Sequence, residues 1–262
     1  MDVRILTGAE IRRLLPMADC IEAVDGALRA LARGEAAQPL RSITWLPDRH
    51  GLLGTMPGFL GPAEALGLKA ITVMPGNLGT PFESHQGVVL LFEPRNGSLR
   101  GILDASSITA IRTAAASGVA TRALSRAEAG DLALLGSGVQ ARAHLDALRA
   151  VRGIRRVRVW SRRPERARTF AETESARTGL AVEAAPSARE AVAGANPPSA
   201  SSIWASASPP FRQLVQLLQQ PEPRATAVRA TGRSDGPYRA GATGEPRPST
   251  PFATGKANHT GL

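Results

Sequence analysis

The chain has 262 residues, 43% of them hydrophobic, with a mean hydropathy of −0.10: a soluble globular composition with ample length for a core, no apolar run near the roughly 20 residues of a membrane span, and no apolar signal core in the N-terminal MDVRILTGAE. A cytoplasmic protein with no membrane partner is therefore expected. The formal charge of +10 suggests nucleic acid, but the arginines are scattered and aromatics are only 4%, while the single cysteine, Cys20, leaves no internal disulfide or thiolate metal cluster, so neither nucleic acid nor metal is expected.

In chain order, Thr7-Gly8-Ala9-Glu10 reads as a capping box opening a short helix through Leu15. Apolar spacing at Ile21, Val24, Leu28 and Leu31 predicts a helix over 18–33, stopped by Gly34. Cys20 falls within it, as a small buried hydrophobe. Residues 40–46, 50–56 and 66–74 read as strands. Two more strands, 88–92 and 99–104, are joined by Pro94-Arg95-Asn96-Gly97, a turn signal. Residues 107–124 form a helix of small side chains suited to close packing, with Asp104 as its N-cap.

At Asp131 the pattern changes. The run DLALL predicts a strand buried on both faces. A helix through Leu148, a strand over 157–160, a helix over 164–178, a strand over 180–183 and a helix over 187–195 follow. Alternating strands and helices imply a doubly wound parallel sheet. From Asn196 the alternation fails. Residues 196–262 hold ten of the 20 prolines, and proline does not serve a central strand. This stretch, apart from an amphipathic segment at 211–218, is expected to be mostly disordered. Its abrupt onset has the pattern of a shifted frame or truncated gene.

Gly136-Ser137-Gly138-Val139-Gln140-Ala141 follows the DLALL strand and opens a helix, the context in which G-x-G-x-x-A binds a dinucleotide. Gly136 makes the turn, Gly138 admits a pyrophosphate, and the helix N-terminus offers amides at Val139 and Gln140. The end of the second strand reads Ser161-Arg162-Arg163, where an NAD enzyme usually carries an acid. A hydroxyl with guanidinium groups suits a 2′-phosphate, so NADP(H) is preferred and NAD(H) stays open. The other reading of these arginines is a solvated loop. The chain has only two lysines, Lys69 and Lys256, which draws attention to Lys69.

Residues 1–195 resemble the ornithine cyclodeaminase/mu-crystallin family. The resemblance lies in an ordered set: Gln38-Pro39-Leu40-Arg41, Met56-Pro57, Gly67-Leu68-Lys69, Ser84-His85-Gln86-Gly87, Leu91-Phe92-Glu93-Pro94, Asp104, Thr109 through Ala115, and GSGVQARAH. It implies that Arg41 and Arg112 hold a substrate carboxylate, that Lys69 is the catalytic amine, and that Ser84, His85 and Thr113 line the cofactor. The family's later catalytic aspartate has no match here; Asp235 lies near by count, but its surroundings differ, so the role is not carried over. Gly54 stands where the cyclodeaminase carries a glutamate, and Ser161-Arg162 where it carries an acid. Both departures point to a reductase of imines of 2-oxo acids, of the pyrroline-2-carboxylate or ketimine type. Ornithine cyclodeaminase, an amino-acid dehydrogenase and an inactive nucleotide-binding remnant are the alternatives.

The expectation is thus an α/β protein in three stretches. Residues 1–124 form an α+β substrate-binding and dimerisation domain. Residues 125–195 form the first half of a Rossmann-type domain, and 196–262 a divergent tail. The expected partners are a small amino-acid or cyclic-imine substrate and a second copy of the chain.

Overall fold

A computed structural model describes residues 2–193, together with the backbone of two later strands, 202–206 and 226–229. The first half folds as β1 (Arg4–Leu6), α1 (Gly8–Leu14), α2 (Met17–Ala32), β2 (Ala36–Ala37), β3 (Ser42–Trp45), β4 (Leu52–Leu60), β5 (Ala65–Val73), β6 (His85–Phe92), β7 (Leu99–Asp104) and α3 (Ala105–Leu124). The capping box forms as read: Thr7 Oγ1 accepts from the Glu10 amide, and the Glu10 carboxylate accepts from the Thr7 amide at 2.8 Å. Gly34, at φ +74°, follows the end of α2. Asp104 caps α3 by accepting from the Ser107 amide at 2.7 Å.

These strands form one mixed sheet in the order β1-β7-β6-β5-β4-β2, with β3 also on β4. Strands β4 to β7 run antiparallel, and β1 joins β7 in parallel. Pro57 lies inside β4, opposite Leu68 of β5. On its other side β3 pairs with 52–55 and β2 with 59–60. The missing N–H of Pro57 therefore falls in the gap between two partners, where no ladder bond is needed. Sequence reading did not foresee β1 and β2, because two or three residues carry no visible alternation.

The second half comprises β8 (Asp131–Leu135), α4 (Val139–Val151), β9 (Arg156–Trp160), α5 (Pro164–Thr178), β10 (Ala181–Ala184), α6 (Ala188–Ala193), β11 (Ser202–Ser206) and β12 (Thr226–Arg229). All strands are parallel, in the order β10-β9-β8-β11-β12. The strand order reverses beside β8, so the turn after β8 stands at a topological switch point, where open α/β sheets bind ligands.

Strands β11 and β12 are ordered exceptions within the stretch expected to be mostly disordered. The prolines at 197, 198, 209 and 210 bracket β11 without entering it, and the free edge of β8 supplies its ladder. Proline content over a window concealed proline position. The amphipathic segment at 211–218, Asp235 and the rest of 194–262 lie outside the described residues.

Two apolar clusters hold the described chain. One packs Leu132, Leu134, Val157 and Val159 of the parallel sheet against Leu145, Leu148 and Phe170 of its helices. The other packs α3 between α2 and α4 through Ile21, Ala114, Ala115, Val119 and Ala147. A side chain at Gly118 would come within 3.1 Å of Ile21, so the small residues of α3 set how closely three helices approach. Arg152 closes the C-terminal end of α3. Its Nη2 donates to the carbonyls of Thr121, Arg122 and Ser125 at 2.9 to 3.0 Å, satisfying orphan acceptors with a cation at the negative end of the helix.

Candidate active site

Strand β5 carries Lys69 in the middle of the mixed sheet, opposite Met56 on one side and Val89 on the other. Its amine donates to Thr109 Oγ1 of α3 at 3.1 Å. The ammonium pKa is pushed down to about 8, by burial first and then by the positive charges of Arg112 and Arg41. Burial and then Arg41 also lower the pKa of Arg112. Arg112 nonetheless remains open to solvent, with protein crowded around the base of its side chain. Among the described residues no carboxylate pairs with Arg41, Lys69 or Arg112. Three cations without an acid among the described residues repel one another, an arrangement that an anion would relieve.

His85 begins β6 and joins this group. Burial, then the nearby Lys69 charge, lowers its pKa. Its carbonyl accepts from Ser106 Oγ of α3 at 3.1 Å, which fixes the start of the strand. Gly87 follows two residues later, and an added Cβ there would lie 2.1 Å from the Ala70 carbonyl oxygen. Only glycine lets β6 approach β5 this closely beside His85. Ser84 stands just before the strand, its carbonyl accepting from the Met74 amide at 2.8 Å.

The second set of expected residues gathers at the carboxyl ends of β8 and β9. Gly136 takes φ +129°, and its amide donates to the Trp160 carbonyl at 2.7 Å, tying the glycine turn to the strand that leads into Ser161, Arg162 and Arg163. Gly138 precedes α4, and no atom lies within 4 Å of where its Cβ would be. No side chain caps α4, so its first amides are free. Val139 is exposed, and the Gln140 side-chain oxygen is enclosed without a hydrogen-bond partner. An open cradle, free amides and an orphaned polar atom fit a dinucleotide pyrophosphate. Arg162 and Arg163 are exposed at the start of α5, with no acidic partner among the described residues.

Helix α3 joins the two sets. Ser106, Thr109, Arg112 and Thr113 fall at three- and four-residue spacing, which places them along one side of the helix. On another side Ser117 meets His144 of α4, Oγ to Nε2, at 2.9 Å, with His144 fully buried. The other ring nitrogen, Nδ1, lies 2.7 Å from the Gln140 carbonyl and so carries the hydrogen. Nε2 then accepts from Ser117, and burial keeps the ring neutral by lowering its pKa. A cleft of about 850 Å³ opens between α1, α3, α4 and the start of β6, with Arg12, Gln86, Gly87, Ser107 and Val139 on its walls. It borders the residue after Gly138 and the residues after His85; the three cations lie outside its lining.

Sequence reasoning missed Thr109, Ser117 and His144. Thr109 stands one helical turn before Arg112, a spacing that could have flagged it. Nothing in the local sequence points to the Ser117–His144 pair, which forms only when α3 packs on α4.

A family model described as the ornithine cyclodeaminase/mu-crystallin family matches residues 1–197. Ketimine reductase mu-crystallin of Mus musculus is 40% identical over 140 residues, 53% of this chain and 45% of that protein. The solved structure of Thermococcus litoralis Delta(1)-pyrroline-2-carboxylate reductase, in complex with NADH and L-proline, superposes with a TM-score of 0.71 at 33% identity; the match covers 79% of this chain and 62% of that one. An archaeal alanine dehydrogenase dimer with bound NAD gives a TM-score of 0.70 at 26% identity, covering 78% and 68%. The chain spans about half the length of the curated relatives it matches.

Proposed function

Because the chain belongs to the ornithine cyclodeaminase/mu-crystallin family, we propose that it is a reductase of imines of 2-oxo acids, of the pyrroline-2-carboxylate or ketimine type, with NADPH preferred over NADH. The observation that carries this reading is the acid-free cluster of Lys69, Arg112 and Arg41. The two guanidinium groups grip the substrate carboxylate, which brings the C=N bond alongside Lys69. A reduced nicotinamide, when bound, supplies hydride to the imine carbon. Lys69 supplies the proton at the imine nitrogen: with a pKa of about 8 it is still largely charged at neutral pH and gives its proton up readily. An arginine could not do this, since it holds its proton at any physiological pH.

Gly136, Gly138, Val139 and Gln140 are the residues that would hold the pyrophosphate. Ser161, Arg162 and Arg163 would meet a 2′-phosphate, which is the basis for preferring NADPH; the relatives described above hold NADH or NAD. Ser84, His85 and Thr113 would border the cofactor near the cations. Gly54 supports reduction over cyclodeamination, because it brings no carboxylate to the substrate's amine side.

The protein is read as a cytoplasmic homodimer. The dimer is supported by the archaeal relative and by the exposed Ile43, Trp45, Leu53 and Phe59 on β3 and β4. The function is tested by mixing the purified chain with Δ1-pyrroline-2-carboxylate and NADPH or NADH, and following loss of the reduced nicotinamide and gain of proline. Turnover, faster with NADPH, is expected. Ammonia release from ornithine with NAD⁺ and no imine reduction would replace this reading with cyclodeamination.

A further inference from the structure

Lys69 has one hydrogen-bond partner among the described residues, and it is neither an acid nor a backbone group. The Thr109 hydroxyl, 40 residues along the chain and on a different element, accepts from the amine at 3.1 Å in a partly buried position. Among the described residues, the charges that bear on the amine are those of Arg112 and Arg41, both positive. Thr109 also sits three residues from Ser106, which anchors His85, and three from Arg112. One side of α3 therefore holds the strand bearing His85, the amine of Lys69 and a guanidinium.

We infer that Thr109 is a positioning residue for Lys69: its hydroxyl ties one amine hydrogen to α3 and leaves the remaining donors for the substrate. The inference rests on the imine-reductase reading for its consequence in turnover, though not for its effect on the amine.

The chemistry of the acceptor matters. A lysine carries four torsions between backbone and amine, and leaving them free would spread the amine over many positions. An Asp or Glu at 109 would hold it as firmly, but would neutralise a site whose role is to take an anion. A threonine hydroxyl accepts a hydrogen bond without adding charge. Its β-branched side chain has few χ1 rotamers open to it on a helix, which limits where the acceptor can lie. A hydrogen bond to the charged amine favours the charged form. Thr109 thus opposes, in part, the burial and the two arginines that discharge Lys69.

The test uses the fact that the chain has two lysines, Lys69 and Lys256. The full-length protein labelled with 13C at lysine Cε should give two lysine signals, assigned with Lys256→Arg. Titration by NMR then reads the Lys69 midpoint without any substrate. In Thr109→Val that midpoint is expected to fall by about 0.5 to 1 pH unit, the size of one ordinary hydrogen bond, whereas Thr109→Ser stays close to the parent. With pyrroline-2-carboxylate and NADPH, kcat of the valine variant should drop by roughly tenfold, with the basic limb of its pH profile moved down and KM changed by less than about twofold. Serine should restore kcat. If valine fails to fold, Thr109→Ala is compared with serine in the same two measurements. Equal midpoints in the parent and the variant lacking the hydroxyl, or equal losses in that variant and serine, would overturn the inference. Absence of imine reduction in the parent would overturn the functional reading alone, since the lysine titration still decides the role of Thr109.

Discussion

The cationic cluster and the glycine turn are built in opposite ways. Arg41, Lys69 and Arg112 come from a loop, a strand and a helix, and their side chains form the site only after the mixed sheet closes under α3. The turn at 136–138 takes its properties from the backbone of three consecutive residues: a positive φ, an open cradle and uncapped amides. The first device concentrates charge and shifts pKa values, so it suits chemistry. The second offers neutral donors that approach a ligand closely, so it suits holding a phosphate. Substitutions in the two should therefore separate cleanly, with the cluster controlling turnover and carboxylate affinity and the turn controlling cofactor affinity.

The sharpest way to break that division is Lys69→Met, which keeps the length of the side chain and removes the amine. Imine turnover should fall by on the order of 10³-fold, while NADPH affinity in a fluorescence titration stays within about twofold. Loss of cofactor binding together with turnover would merge the two regions into one. Next in size is Arg112→Gln, for which KM for the carboxylate substrate should rise on the order of 10- to 100-fold, the value of a lost charge-assisted pair. In Gly138→Val, NADPH affinity should weaken by at least about tenfold, because a branched side chain would fill the open cradle, with carboxylate binding retained. The smallest effect is expected at the edge of the cofactor site: Arg162→Ala should narrow the NADPH over NADH preference by roughly tenfold and leave NADH turnover near the parent's.

Acidity sharpens the same comparison. Lys69 titrates near pH 8, below its ordinary 10.5. Its proton is present below that pH and lost as pH rises through it, so kcat should decline above about pH 8. Stability has the opposite sign for this group. Between about pH 8 and 10.5 the unfolded chain holds a proton on Lys69 that the folded chain has released, so stability gains as pH rises through that window. Thermal melts across it, compared with Lys69→Met, read that gain; its absence from the parent would contradict the burial of the amine.

The same contrast governs what the sequence disclosed. The glycine turn, the capping box at Thr7, the Asp104 cap and the elements from β8 to α6 were legible because each is a local pattern with a local cause. Ordered landmarks, not local pattern, marked Arg41, Lys69 and Arg112; their common location depends on antiparallel pairing of β4, β5 and β6 and on α3 crossing beside them. Thr109, and the Ser117–His144 link between α3 and α4, stayed hidden for that reason. β11 and β12 were hidden differently. A strand of four or five residues between prolines becomes evident only when a neighbouring edge, here β8, gives it a ladder.

The proposed carboxylate site is made of Arg41, Lys69 and Arg112, which have no acidic partner among the described residues, and it is expected to work independently of the dinucleotide cradle. Calorimetric titration with pyrrole-2-carboxylate, a flat and unreactive carboxylate of the substrate's shape, tests it most directly. Binding by the parent chain and by Gly138→Val, weakened at least about tenfold in Arg112→Gln, is the predicted result. No binding by the parent, or equal affinity in Arg112→Gln, would contradict it.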